Sequence, residues 1–308
     1  TTEIYTLSLH DALPISGGAA VCVYHRGEPV VDLWGGERTD DEPWRDDTVA
    51  MCFSTTKGVS STALHVLADR GLVDYDEPVA TYWPEFAANG KQAVTVRHVL
   101  THSAGLHRIR SLVDTGDRLL DWEYMAEALA AAAPAYEPGS RHGYHALTYG
   151  WLVGEIVRRV SGSDIAAFVH CELATPLSCD GLYIGLPESE RGRAANLEPP
   201  SLPRPSNPTV RRVEKRIGTQ MGKLVSALPG TLNTRRMINA LVPRNVEAAL
   251  YSPAAMDASI PAANGFFTAR SLARMYAMPA GGGEPEGTRI PSRERVGLIS
   301  EVQTRGRD

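Results

Sequence analysis

The chain has 308 residues, 43% hydrophobic and 22% charged, enough for a sizeable core as one large domain or two intertwined ones. With 31 Lys and Arg against 36 Asp and Glu, the formal net charge is −5, so no global basic field draws nucleic acid. No apolar run approaches the roughly 18 residues a membrane helix needs, and four cysteines without a CxxC read as reduced, mostly buried thiols that suit the cytoplasm.

Residues 1–15, TTEIYTLSLHDALPI, keep neither a helical nor a strand period and lack the basic start and long apolar stretch of a secretion signal. They resemble the in-frame translation of a sequencing adapter and are set aside as an artefact, with native sequence expected from Ser16 or Gly17. A signal peptide lost with the true N-terminus therefore stays open. Residues 19–36 read as two strands around Arg26-Gly27-Glu28-Pro29. An acidic loop, 39–47, leads to a short apolar run, 48–53, that places Cys52 in the core. Apolar spacing at Val59, Ala63, Val66 and Leu67, with Gly71 at the cap, predicts a helix over 54–69.

Asp76-Glu77-Pro78 opens another helix, and 95–106 reads as a short helix turning at Gly105. Helices follow at 122–133, 146–160 (ending at Gly162) and 164–173. The stretch 187–208 holds six prolines and reads as an irregular surface loop. Within 191–223, Arg191, Arg193, Arg204, Arg211, Arg212, Lys215, Arg216 and Lys223 face only Glu198 and Glu214, a solvated excursion rather than an anion site. A last helix covers 269–278, before a turn at Gly281–Gly283. A Cys171–Cys179 bridge is conceivable on spacing alone.

The sharpest local chemistry is Ser54-Thr55-Thr56-Lys57. Residues three apart share a helix face, so Lys57 can reach the Ser54 hydroxyl. Serine needs a base to take its proton, and lysine serves only when burial or nearby cations lower its pKa. The predicted helix N-terminus also favours negative charge, with the Ser54 backbone N–H as one oxyanion donor. Taken alone, the tetrapeptide fits equally a serine cap with a solvated lysine.

The run CFSTTKGVSSTALHVLADRGLVDYDEPVATYWPEF, followed by TVRHVLTHSAGL, resembles the β-lactamase-like serine hydrolases over roughly residues 18–308. That family includes class C β-lactamases, D,D-peptidases and family VIII carboxylesterases. The resemblance implies an α/β (α+β) fold of β-lactamase/transpeptidase type, an antiparallel sheet flanked by helices with a helical domain inserted. Residues 17–75 and 215–308 are expected to form the α/β domain and 76–214 the helical one. It makes Ser54 and Lys57 the catalytic pair and aligns Tyr144-His145-Ala146 with the family's Tyr-x-Asn motif. Tyr144 then shares proton transfer with Lys57, while Tyr149, beside Trp151, reads as core. His142 and His145 flank Tyr144, so His142, His145 and Ala146 are expected near the substrate pocket; packing or solvent exposure fits the two histidines equally. Ala146, where a β-lactamase has Asn, shifts weight towards esters.

The expected reaction is hydrolysis of a small-molecule ester or amide through an acyl-enzyme, with no cofactor and no metal. A non-catalytic scaffold on the same fold is the alternative. The family's third motif, Lys-Thr-Gly or His/Trp-x-Gly on a late strand, is not found. Trp34-Gly35-Gly36 matches in letters but reads as a turn ending the N-terminal hairpin. The final strands and helix are therefore expected beyond residue 308, and the chain as written is expected to be inactive or nearly so. No GxSxG, HExxH, GxGxxG or P-loop is present. His98, His102 and His107 invite a metal reading that the resemblance does not support.

Overall fold

A computed structural model of the chain describes residues 17–197, 243, 245–280 and 291–304. The expectations for residues 1–15, the boundary at 214/215, most of the basic stretch and the turn at Gly281–Gly283 lie outside them. The first strand, β1 (Gly18–His25), reverses at Arg26-Gly27 into β2 (Glu28–Thr39), which pairs antiparallel with β1 and then with β3 (Glu42–Pro43). Both turn residues have positive φ, 53° and 86°, as a two-residue type I′ hairpin demands. Trp34-Gly35-Gly36 is not the turn expected: it lies inside β2, opposite Gly18–Ala20.

A second sheet has the order β4-β6-β5, from β4 (Ala50–Met51), β5 (Leu182–Ile184) and β6 (Gly265–Phe267). Phe267 stands between Ala50 and Leu182, and Phe266 between Met51 and Tyr183. The one sheet expected is thus two three-stranded sheets among the described residues. The strand β5 comes from within the 76–214 stretch expected to be helical, and β6 opens the stretch read as helix and turn. Both are three residues long and buried or nearly so, too short to display a period.

Helix α1 (Thr56–Asp69) continues a 3-10 turn at Phe53–Thr55. It is followed by α2 (Val79–Tyr82), α3 (Val96–Leu100), α4 (Trp122–Ala131), α5 (Thr148–Ser161) and α6 (Ile165–Val169), the last running on as a π turn, His170–Ala174. Later come α7 (Val246–Leu250), α8 (Ala254–Asp257), α9 (Ala269–Ala280) and α10 (Arg293–Ser300). The core lies where α1 packs on α5: Val59, Ala63, Leu64 and Leu67 meet the layer of Trp151, Leu152 and Ile156, all buried. Two glycines on α5 permit close approach. A Cβ on Gly150 would sit 2.6 Å from Ala262 N, and one on Gly154 2.5 Å from Trp122. Segment 261–262 can therefore lie directly on the α5 backbone.

All four cysteines are free, and Cys171 is exposed rather than buried, so no Cys171–Cys179 bridge forms. Of the basic stretch, Arg191 pairs with Asp257 and Arg193 with Asp180 and Glu190. No helix among the described residues is long and apolar enough to cross a membrane.

Two buried charges tie the helical layer together. Lys91 donates to the carbonyls of Ala88, Ala130 and Ala132, closing the C-terminal end of α4, and burial lowers its pKa to about 8. Glu155, fully buried on α5, accepts from Trp122 Nε1, Arg158 Nε and Arg159 Nε, each at 2.8 Å. Burial alone would raise its pKa, yet these bonds outweigh it and hold the carboxyl below its ordinary value of 4.5. Removing the carboxylate by Glu155→Ala is expected to cost about 2–4 kcal/mol in a denaturant melt, moderated because both guanidinium groups can reach water. A folded pKa below the unfolded one stabilises above pH 4.5, and this contribution fades as pH falls through the folded value. The wild-type melting temperature should therefore fall faster in acid than that of Glu155→Gln; parallel curves would contradict this role.

Candidate active site

Ser54 stands in the 3-10 turn that feeds α1, on the exposed side of the molecule. The residue before it, Phe53, has φ of 41°, a left-handed conformation that a bulky side chain rarely adopts. Three bonds hold it there. Thr56 Oγ1 donates to Phe53 O at 2.5 Å and accepts from Gly265 N–H at 2.9 Å, while Cys52 N–H donates to Gly265 O at 2.8 Å. The start of β6 therefore clamps both sides of the turn. Strain of this kind persists only where surroundings over-determine it, and it concentrates at functional sites.

Lys57 is 8% exposed, and its Nζ donates to Ser54 Oγ and to Ala262 O, both at 3.0 Å. Burial lowers its pKa, with the Tyr144 phenol pulling in the opposite direction. One turn on, Ser60 Oγ donates to Pro261 O at 2.6 Å. Segment 261–265 is thus fastened along α1 by Thr56, Lys57 and Ser60, which is what brings a carbonyl to the buried ammonium. Tyr144, 41% exposed, donates from Oη to Ser54 Oγ at 2.9 Å, and Lys57 Nζ lies 5.0 Å from its ring centroid. Tyr149 is buried within α5, with burial raising its pKa strongly. Of the two tyrosines weighed from the sequence, Tyr144 is the one brought to Ser54.

A hydroxyl contacted by a buried amine and a half-exposed phenol is equipped for proton transfer in either direction. The Ser54 N–H has no acceptor among the described residues, while the neighbouring Thr55 N–H is bonded to Cys52 O. An oxyanion formed beside Ser54 could therefore be met by that N–H.

The expected pocket residues part company. His145 is fully buried; its Nε2 accepts from Leu106 N–H at 3.0 Å, so its ring joins two loops rather than facing a substrate. Ala146 is half-buried, with its N–H donating to Tyr144 O at 3.0 Å, and His142 is half-buried nearby. His98 completes a capping box with Thr95 at the start of α3. No three His, Cys, Asp or Glu side chains among the described residues converge as metal ligands do. Sequence reasoning missed the Ala262 carbonyl, which no motif marks, and the part His102 plays beside Tyr144.

The family model described as Beta-lactamase matches residues 11–306. The esterase/beta-lactamase LipL of Mycobacterium tuberculosis is 43% identical over 282 residues, 91% of this chain and 62% of that protein. The chain thus spans 62% of the length of that curated relative. Among solved structures, a family VIII carboxylesterase superposes with a TM-score of 0.76 at 35% identity, covering 94% of this chain and 71% of the other. A penicillin-binding protein homolog from Caulobacter crescentus gives 0.74 at 34% identity, over 95% and 72%. The fold is accordingly β-lactamase/transpeptidase-like, and the chain belongs to the beta-lactamase family.

Proposed function

We propose that the protein is a serine hydrolase of carboxylesterase type, with Ser54 as nucleophile and Lys57 and Tyr144 sharing proton transfer. The observation that carries this reading is the convergence of Lys57 Nζ and Tyr144 Oη on Ser54 Oγ, at 3.0 and 2.9 Å. Ser54 Oγ attacks the carbonyl carbon of an ester as its proton passes to neutral Lys57 or to the Tyr144 phenolate. The Ser54 N–H faces the developing oxyanion. Collapse expels the alcohol, which takes the proton back, and water then releases the acid from the acyl-enzyme by the reverse path. The desolvation that lowers the Lys57 pKa favours the neutral amine this step requires.

Esters are favoured over β-lactams because Ala146 offers no side-chain amide beside Tyr144. The names of the relatives include both chemistries, so β-lactam or D,D-peptide cleavage is the second reading, and a scaffold without catalysis the third. Amide substrates remain within the proposal, and the free thiols support a cytoplasmic location.

A fluorophosphonate probe is expected to label the chain at Ser54 and to fail on Ser54→Ala. Absence of labelling in a folded wild-type chain would favour the scaffold. Tyr144→Phe and Lys57→Ala should each slow labelling by about 10²–10⁴-fold. The wild-type rate should rise with pH through an inflection below the ordinary lysine value of 10.5, since deprotonation creates the base. Hydrolysis of a short-chain nitrophenyl ester should exceed that of a chromogenic cephalosporin, and the opposite order would move the assignment to β-lactamase. With no Lys-Thr-Gly segment in the given sequence to supply a second oxyanion donor, turnover by this chain is expected to be about 10²–10³-fold below that of a relative that has one. Turnover at the relative's rate would overturn this part and leave the Ser54 assignment standing.

A further inference from the structure

The turn that ends α3 carries a residue whose backbone and side chain disagree. Thr101 is the C-cap of α3, His102 N–H donates to Val99 O at 3.2 Å, and Ser103 N–H donates to His98 O at 2.8 Å. This pair of bonds is a Schellman motif, and its left-handed position is usually glycine. Here it is His102, with φ of 59°. The turn needs no side chain at that point, so the imidazole must be sought in what else it touches.

It touches the loop that carries Tyr144, on both sides of that residue. Gly143 N–H donates to His102 O at 3.0 Å, and His145 N–H donates to His102 Nδ1 at 3.2 Å. The His102 ring also packs on Tyr144 and Tyr149, with centroid separations of 5.1 and 4.8 Å. The loop answers through His145, whose Nε2 accepts from Leu106 N–H at 3.0 Å. The two loops are therefore cross-tied by an exchange in which each imidazole accepts a backbone N–H from the other loop. Burial drives the His145 pKa to about 3, so its ring stays a neutral acceptor.

We propose that His102 is a positioning residue, pinning the peptide groups before and after Tyr144 so that the phenol stays within reach of Ser54 Oγ. The proposal rests on the reading of Ser54 and Tyr144 as reacting groups. Tyr144 is itself 41% exposed and sits on a loop, so beside the His145–Leu106 bond it is the two His102 bonds that fix the peptide groups on either side of it. The expected loss on misplacing a reacting group by about 1 Å is up to roughly 10²-fold.

Glycine at 102 separates positioning from folding, because it relieves the left-handed backbone, keeps both turn bonds and the Gly143 N–H bond, and deletes only the imidazole. In the full chain, His102→Gly should melt at or above the wild-type temperature. It should nevertheless react with a fluorophosphonate about 10–100-fold more slowly at Ser54. Its His145 amide should exchange with solvent at least about tenfold faster. His102→Asn, which tolerates the left-handed conformation and presents an oxygen acceptor, should recover most of the labelling rate and the amide protection. Wild-type labelling in His102→Gly, or a loss that merely follows a lower melting temperature, would overturn the positioning role. An unlabelled wild-type chain would instead sink the reading of Ser54, with the exchange measurement still reporting whether the loops are tied.

Discussion

A lysine ammonium kept out of water between Ser54 Oγ and the Ala262 carbonyl is the contact on which the arrangement of the chain turns. Burying a charge is unfavourable unless polar partners are aimed at it. Here one partner belongs to the same helix and the other comes from a segment 205 residues away. That segment must lie against α1, and Gly150 makes the room by letting the Pro261–Ala262 backbone rest on α5. Thr56, the residue before Lys57, and Ser60, one turn after it, fasten the same segment. Because it continues into β6, the middle strand of its sheet, the Ser54 turn and the second sheet are held together.

The same logic explains two of the six non-glycine residues that adopt positive φ among the described residues. Phe53 and His102 both adopt positive φ without being glycine. Phe53 precedes Ser54 and is held by Thr56 and by the start of β6. His102 precedes nothing reactive, yet its carbonyl and Nδ1 hold the residues on either side of Tyr144. Each strained residue therefore serves a neighbour across the site, one fixing where the hydroxyl points and the other where the phenol stands. A relaxed residue at either position would satisfy the local backbone equally well, which is why the explanation must be sought in the partner.

What could be read from the sequence follows from how local each feature is. The Ser54–Lys57 pair was legible because spacing on a helix is a short-range rule, as were α1 and α5 with their terminal glycines and α4 by its propensity. Tyr144 was legible only through resemblance, although Tyr149 could be set apart as core by its place in a helical run beside Trp151. The strands β5 and β6 were missed because LYI and GFF are strands only by virtue of pairing with each other and with Ala50–Met51. Trp34-Gly35-Gly36 looked like a turn from its glycines, but the hairpin register against Gly18–Ala20 decides its state. Lys91 gave no signal at all: a lone lysine in a loop reads as solvated, and only the fold delivers three carbonyls to it.

The Tyr144-His145-Ala146 segment carries the last step. Its middle residue, His145, is fully buried and bonded to Leu106. Its side chain is committed to holding the loop, and on the proposed reading Ala146 is the residue beside the substrate. A methyl group there can neither donate nor accept, so a substrate amide brought beside it would lose its water partners without replacement. An ester acyl chain has no such donor to satisfy. On the proposed reading, the preference for esters then arises less from any contact made to them than from a penalty at one position on substrates that bring a side-chain amide there, while Ser54, Lys57 and Tyr144 are indifferent to the choice.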